Sequence, residues 1–480
     1  MFKNYKKIHF VGAGGIGVSA LAKLAILQGV KVSGSDATES ETLDELRKMG
    51  AKIFVGHKKE NVPAGVDLII FSDAVPKDNP ERSFIPPLDK GGRGGVVEKS
   101  YYEALGELSR EKKTIAVSGT NGKSTTTAML GKILIDAGFD PTVIVGSKIK
   151  DFKYGNLHPG KSEWLVLEAC EHNAHMLNLS PECIVLTNIE ADHLDFYKNL
   201  ENILKSFETY VSHMPQSGFL IYNADDKNTS RVIPTSPSVI PAKAGIQAIS
   251  YGEGKGADFG FANRSAGEGG QKFEFVMEGR TIGEIELKIP GMFNVYNAMA
   301  AASAAHNMGV EFDKIKKSLA EFSGLWRRFE KVGEFKGAPV ISDYGHHPTA
   351  IAATILAAHE FFPGRRVVLA FEPHQHHRTQ ALFADFVRAF DEAEVVILSE
   401  IYNVEGRVSE SDREVSSKKL ADAIVKYWGT DEDTKTDREM IYCENLSETE
   451  KALRQTAKKN DVMIIMGAGD VYKVAERLCK

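Results

Sequence analysis

The chain has 480 residues, 42% of them hydrophobic and 26% charged, too long for one comfortable core and enough for roughly three domains. Its formal net charge of −6, with both signs interspersed, argues against a surface built to neutralise a nucleic-acid backbone, so no nucleic-acid partner is expected. Cys170, Cys183, Cys443 and Cys479 form no CxxC pair, the N-terminal residues show no apolar run of export length, and no other stretch shows one of membrane-spanning length; the expectation is a cytoplasmic chain with reduced thiols and no membrane partner.

In chain order, "KIHFVGAG", "VKVSGSD", "AKIFVG" and "VDLIIFSDAV" are strands with helical patterns between them, a parallel α/β unit. A fresh strand, loop and helix in "EKKTIAVSGTNGKSTTTAMLGKILIDAG" sets a boundary near Ser109 to Lys112. "WLVLEAC", "CIVLTNIEADH" and "GFLIYNADD" follow as strands with polar ends, where parallel sheets gather ligands. The segment "FANRSAGEGGQ" is expected as a surface turn within the β-rich patch "KFEFVMEGRTIGEIELKIPG". Beyond "FSGLWRRFE", the strands "APVISDYGHHP", "RVVLAFEPHQHHR", "EVVILSEIYN" and "DVMIIMGAGD" build a third unit. Two stretches rich in Pro and Gly, 84–95 and 233–248, are expected as exposed loops.

The sharpest chemical signal is "GTNGKST". Its glycines let backbone amides turn onto phosphate oxygens, Lys123 reaches the terminal phosphates, and Ser124 or Thr125 is a magnesium ligand at the start of a helix. Val117 stands where the longer phosphate loop has its first glycine, so this is a shorter relative. Glu168, Glu171, Glu190, Asp192, His193 and Asp195 sit at later strand ends as oxygen or imidazole donors, with His193 alternatively opening a helix. His346, His347, His374, His376, His377 and Arg378 cluster at two ends of the third unit; without HExxH-type spacing they read as a polar substrate pocket rather than zinc. "GAGGIG", with Gly12, Gly14 and Gly17, is a weaker dinucleotide signal, and a nicotinamide oxidoreductase with Asp36 on a ribose hydroxyl is one reading of it.

"GAGGIG" with "SGSD", then "GTNGKSTTT", "TNIEADHLD", "GMFNVYNAMAA", "GLWRRFE", "DYGHHPTAIAAT", "EPHQHHRT" and "MGAGD", in this order, resemble the Mur ligases of peptidoglycan synthesis over essentially the whole chain. "DYGHHP" and the "PH..HRT" run resemble the branch that adds L-alanine to UDP-N-acetylmuramate. The resemblance implies three α/β domains: a Rossmann-like N-terminal domain binding the UDP-sugar (1–110), a central ATPase domain of phosphate-loop type with a mostly parallel sheet (111–324), and a Rossmann-like C-terminal domain contacting amino acid and ATP (325–480).

It further implies ATP on Gly119, Thr120, Asn121, Gly122, Lys123, Ser124, Thr125, Asn294, Asn297, Arg328 and Asp343, and magnesium on Ser124, Glu168 and His193. UDP would lie on Gly12, Gly14, Gly15, Ile16, Gly17, Ser35, Asp36 and Ser72, and the amino acid on Tyr344, His346 and Arg378. Lys123, Glu168, His193, His346 and Arg378 would carry the chemistry, with His346 a candidate base for the amine, in a monomer or weak homodimer. Three departures stand out: Asn121 where that branch usually has His, Gln375 where Arg is frequent, and Glu208 with nearby Lys205 where several relatives carry a carbamylated lysine, so no carbamate is expected. A recycling ligase that attaches a ready-made tripeptide, and a non-catalytic nucleotide-binding regulator, are the remaining alternatives.

Overall fold

The protein is described by a computed structural model covering residues 2–82, 96–233, 246–254, 256–402, 415–429 and 438–480. All of the expected loop 84–95 and residues 234–245 of the second one lie outside the described residues, while Gln247 and Ala248 already belong to a strand.

Strands β1 (Lys7–Val11), β2 (Lys31–Asp36), β3 (Lys52–Val55), β4 (Leu68–Phe71) and β5 (Val97–Ser100) form the first sheet in the order β3-β2-β1-β4-β5, all parallel. The order reverses beside β1, so a crevice opens where β1 and β4 end. Helix α1 (Ile16–Leu27) begins in that crevice. Its residues are mostly buried on every side, and Gly29 (φ +83) turns the chain out of it into β2. Helix α2 (Glu41–Lys48) is capped by Ser40, and α3 (Tyr101–Arg110) by a Ser100/Glu103 capping box.

The second sheet comprises β6 (Lys113–Ser118), β7 (Thr142–Ile144), β8 (Leu157–His158), β9 (Trp164–Ala169), β10 (Cys183–Leu186), β11 (Phe219–Asn223), β12 (Gln247–Glu253), β13 (Phe259–Gly267), β14 (Gly270–Met277) and β15 (Arg280–Leu287). They run in the order β15-β14-β13-β12-β11-β10-β6-β9-β7-β8, parallel from β13 to β7 and antiparallel at both edges. Helix α4 (Lys123–Asp136) follows β6, and two further helices, α5 (Leu194–Tyr197) and α6 (Leu200–Val211), follow β10. Helices α7 (Met292–Asn307) and α8 (Phe312–Glu321) close the unit. The expected turn "FANRSAGEGGQ" is a correction: it is nearly all strand, with the reversal confined to Glu268 and Gly269 between β13 and β14. Its polar residues are tolerated because one face of this antiparallel edge meets solvent. Arg264 there reaches Gln271 and forks onto Glu360 of the third unit.

The third sheet holds β16 (Glu330–Phe335), β17 (Ala338–Asp343), β18 (Arg366–Phe371), β19 (Val395–Ser399), β20 (Glu439–Cys443) and β21 (Asp461–Met466), in the order β16-β17-β21-β18-β19-β20, parallel except for β16. Helices α9 (Pro348–Phe361) and α10 (His376–Ala381) follow β17 and β18, carrying the histidine motifs to the carboxyl edge.

One apolar cluster runs from the first sheet into the second, joining Phe10, Leu21 and Leu105 to Leu167, Ile184 and Phe207. Buried Lys23 is held within that junction: its Nζ donates to Glu45 Oε2 at 2.7 Å, to the Tyr154 carbonyl at 3.0 Å and to Asn156 Oδ1 at 3.0 Å. Lys148 of the second unit pairs with Glu41 and Glu45 of the first at 2.8 and 2.9 Å. A buried lysine is tolerable only when its charge and its N–H groups are matched, as here.

Candidate active site

The phosphate loop leaves β6 at Gly119 (φ +131) and enters α4 at Gly122 (φ +84). A Cβ on Gly122 would stand 2.2 Å from Asn297 Oδ1, so glycine is what lets α7 lie against the loop. Thr126 Oγ1 donates to the same Asn297 oxygen at 3.3 Å, and Asn297 Nδ2 donates to Asn294 Oδ1 at 3.1 Å. Both asparagines are thereby fixed beside the loop, and the positive end of the fourteen-residue α4 lies at Gly122 of that loop.

Lys123 Nζ donates to the carbonyls of Gly119 at 2.6 Å and Thr120 at 3.0 Å, and pairs with Glu171 Oε2 at 2.8 Å. Burial works against its charge, but Glu171, with Cys170 and Glu168, outweighs this and holds the ammonium above its ordinary range. Ser124 Oγ donates to Glu168 Oε2 at 3.0 Å, and the other Glu168 oxygen accepts the Gly146 N–H. Burial pushes the Glu168 carboxyl up, against Gly146, Lys123, Ser124 and Arg328, which pull it down. A cation would relieve that burial.

His193 adopts a left-handed backbone (φ 53) at the start of α5, so it does open a helix. Its Nε2 lies 3.7 Å from Glu171 Oε1 and 3.7 Å from Asp192 Oδ2, and its ring centroid is 4.4 Å from that of His172. Burial lowers its pKa, keeping a lone pair available.

The segment from Thr187 to His193 ties the phosphate loop to the third unit. Thr120 N donates to the Asn188 carbonyl at 2.9 Å, and Asn121 N to Asn188 Oδ1 at 2.9 Å. Asn121 Nδ2 reaches Glu190 Oε1 at 3.3 Å, while Thr349 Oγ1 of the third unit donates to Glu190 Oε2 at 3.2 Å. Arg378 meets Asp192 at 3.2 Å. The asparagine at position 121 thus has a local use.

Asp343 accepts the Phe329 N–H at 2.8 Å and the Gly345 N–H at 2.7 Å, and burial pushes its carboxyl up. It fastens "WRRFE" to "DYGHHP". Arg328 lies over the Tyr344 ring, 4.9 Å from its centroid. His346 Nδ1 faces the Tyr344 carbonyl at 3.1 Å; burial and neighbouring Arg378 push its pKa well below the usual histidine range, so it is a neutral imidazole. Gln375 takes φ +71, and its N–H donates to the Tyr402 carbonyl at 3.2 Å.

In the first unit, Gly12 (φ +79) lies so close to β4 that its Cβ would be 2.9 Å from Ser72 Cβ. Asp36 Oδ2 accepts the Gly14 N–H at 2.8 Å, bracing the glycine turn, and the Ser35 carbonyl accepts the N–H groups of Gly12 and Ala13 at 2.9 Å each. The Ser35 hydroxyl points inward and donates to buried Glu81, and the Ser35 carbonyl braces the loop. Gly12 to Gly17, Asp36 and Ser72 share one crevice, whereas the ATP-set residues gather a domain away.

Two residues escaped the sequence reading. Arg327 lies among the rings of Trp326, Tyr344 and Tyr472, and its NH2 donates to the carbonyls of Gly467 and, at 3.0 Å, Gly469. It gives "MGAGD" a structural use. Glu81 accepts from Ser35, from Asn61 Nδ2 at 2.6 Å and from Lys58 N at 2.9 Å, and pairs with His9 Nε2 at 3.1 Å. Its "NPE" context carried no signal, because its partners come from three separate segments.

Three mostly parallel α/β sheets, a phosphate loop with a carboxylate-paired lysine, and polar strand ends facing it from two domains define a multidomain nucleotide-using enzyme. Residues 7–113 match the profile described as Mur ligase family, catalytic domain, residues 117–305 the Mur ligase middle domain, and residues 327–469 the Mur ligase glutamate ligase domain. The chain is 37% identical over 476 residues to the UDP-N-acetylmuramate–L-alanine ligase of Sulfurihydrogenibium sp., covering 99% of this chain and 97% of that one. It is 36% identical to the protein of that name from Aquifex aeolicus, with 99% and 97% covered. The crystal structure of the UDP-N-acetylmuramate–alanine ligase of Thermotoga maritima superposes with a TM-score of 0.80 at 30% identity, covering 98% of each chain. A murein peptide ligase from Psychrobacter arcticus shares the fold, at a TM-score of 0.67 and 22% identity. The chain belongs to the Mur ligase family, and it is an ATP-dependent ligase.

Among the described residues no helix is long and apolar enough to cross a membrane.

Proposed function

We propose that the enzyme joins L-alanine to the lactyl carboxylate of UDP-N-acetylmuramate in the cytoplasm, through an acyl phosphate. The observation that carries this reading is end-to-end similarity, above 35% identity, to several ligases of that name. The histidine- and arginine-bearing strand ends of the third unit support it. So do four unpaired cysteines, as a reducing compartment would have.

The donor set suits magnesium. Ser124 and Glu168 offer hard oxygens side by side, and no three or more His, Cys, Asp or Glu among the described residues make a closed cage. A phosphate-bound magnesium needs few protein ligands, and Ser124, Glu168 and His193 would hold it, where it would neutralise charge on the phosphates. The residues of the chain do the rest. Lys123 leaves Glu171 for the terminal phosphates and stabilises charge on the moving phosphoryl group as the lactyl carboxylate attacks phosphorus. The Asn294–Asn297 pair and Asp343, with Arg328 near Glu168, bound the nucleotide from the second and third units. The glycine turn holds the UDP diphosphate, with Asp36 bracing that turn through the Gly14 N–H and Ser72 lying beside Gly12. Arg378 and Tyr344 orient the amino acid, and neutral His346 accepts a proton as its amine attacks the acyl carbon and phosphate departs.

The test is phosphate release from ATP with magnesium, UDP-N-acetylmuramate and a panel of amino acids, with the murein tripeptide as a separate arm. L-alanine should give phosphate and a new amide in equal amounts. No product across the panel, or preference for the tripeptide, would sink the reading.

A further inference from the structure

The cation assigned to the amino-acid carboxylate is already engaged. Arg378 Nε and NH2 both donate to Asp192 Oδ1, at 3.3 and 3.2 Å, and the two side chains are only 9% and 13% exposed. Asp192 comes from the loop after β10 and Arg378 from α10, so the pair spans the second and third units. Its geometry is imperfect. A guanidinium and a carboxylate pair best through two parallel bonds to two oxygens. Here Oδ1 takes both guanidinium N–H groups and the His193 N–H at 2.7 Å, while Oδ2 faces His193 Nε2 at 3.7 Å. A buried pair with one oxygen overloaded recovers little of its desolvation cost, yet removing either partner leaves an uncompensated charge. The pair is therefore easy to exchange for a ligand and costly to break without one. Both residues line one small cleft, together with His193, Gln375 and His377.

We propose that Asp192 and Arg378 form a socket for a zwitterion. The incoming α-amino acid inserts between them, its carboxylate taking the guanidinium and its ammonium taking Asp192. No buried charge is orphaned in that exchange, because the ligand carries one charge of each sign. A carboxylate without an ammonium has to evict Asp192 and leave it unpaired, and an amine without a carboxylate leaves Arg378 unpaired. The socket thus selects for a zwitterion. The inference rests on the third-unit pocket being the amino-acid site and assigns Asp192 to it as a binding residue.

The experiment compares the full-length wild type with Asp192→Asn, using L-alanine as substrate and propionate as a carboxylate-only competitor. Asp192→Asn should raise KM for L-alanine about tenfold or more, the loss of one charged hydrogen bond. Propionate should inhibit the variant more strongly than the wild type, since nothing needs to be evicted. General loosening of the pocket would weaken both ligands together. Shifts in the same direction, or no shift, overturn the proposal. The wild type gives a second measurement that needs no variant: propionate and L-alaninol should each bind at least tenfold more weakly than L-alanine, and parity of either overturns the socket. Turnover of L-alanine by the wild type is measured first. Its absence defeats the functional reading itself, whereas normal turnover with same-direction shifts defeats the socket alone.

Discussion

Replacing Lys123 by Met separates two roles that one side chain combines. Its side chain is 16% exposed and pairs at 2.8 Å with Glu171, which is 6% exposed. Removing the ammonium leaves that carboxylate facing the methionine, with His193 at 3.7 Å as its nearest other charge partner. An orphaned buried charge of this kind costs about 3–5 kcal/mol. Partial exposure of Lys123 puts the expected loss of stability at the lower end, about 3 kcal/mol. Turnover should fall by about 10²–10³ or more, the usual cost of removing a group that stabilises transition-state charge. Lys123→Met/Glu171→Gln then divides the effects: a neutral amide at 171 should restore most of the stability and none of the turnover. The assays are urea unfolding followed in the central unit and phosphate release at saturating substrates. Recovery of turnover in the double variant would refute the catalytic assignment of Lys123. A Lys123→Met protein as stable as the wild type would refute the ion pair.

Glu81→Ala should destabilise the first unit by about 3–5 kcal/mol, because buried donors lose a charged partner; calorimetry that shows less than about 1 kcal/mol would remove the network from the fold. Burial opposes the Glu81 charge, but hydrogen bonds from His57, His9, Ser35 and Asn61 outweigh it and hold the carboxyl well below its usual range. Its contribution is therefore present above the unfolded value near pH 4.3 and lost as pH falls toward the folded one. The wild type should lose its advantage over Glu81→Gln on acidification below about pH 4, and a constant difference would contradict the network. Burial pushes buried Glu372 up to about 7. The folded state there binds a proton that the unfolded chain has released, so stability falls as pH rises from about 4.3 to 7. Urea midpoints of Glu372→Gln relative to wild type should accordingly rise between pH 5 and pH 8, and parallel midpoints would show that Glu372 is not so held.

Elements whose periodicity and length agree with their burial were legible in the chain. The central strands β1, β4, β6, β10 and β18 read as apolar runs because parallel strands are covered on both faces. The edge strands were harder to place. β13 contains Asn263, Arg264 and Ser265, which local composition marks as a turn, and pairing with β14 makes it strand. The motifs singled out Lys123, Glu168 and Arg378 as chemically apt residues, since glycine turns and polar strand ends are local signals, whereas Asn294 and Asn297 were implied only by the family resemblance.

The sequence by itself determined that two glycine-rich loops open two α/β units and that a third unit ends its strands in histidines and an arginine. These properties depend on residues a few positions apart. Only the tertiary structure decided which polar and charged groups meet: Lys123 with Glu171, Asp192 with Arg378, Glu81 with His9 and Asn61. Such partners lie 20 to 186 residues apart in the chain, and any carboxylate in a sequence is compatible with many cations. Chain crossovers select one partner by bringing particular strand ends together, and burial then makes that choice energetically consequential.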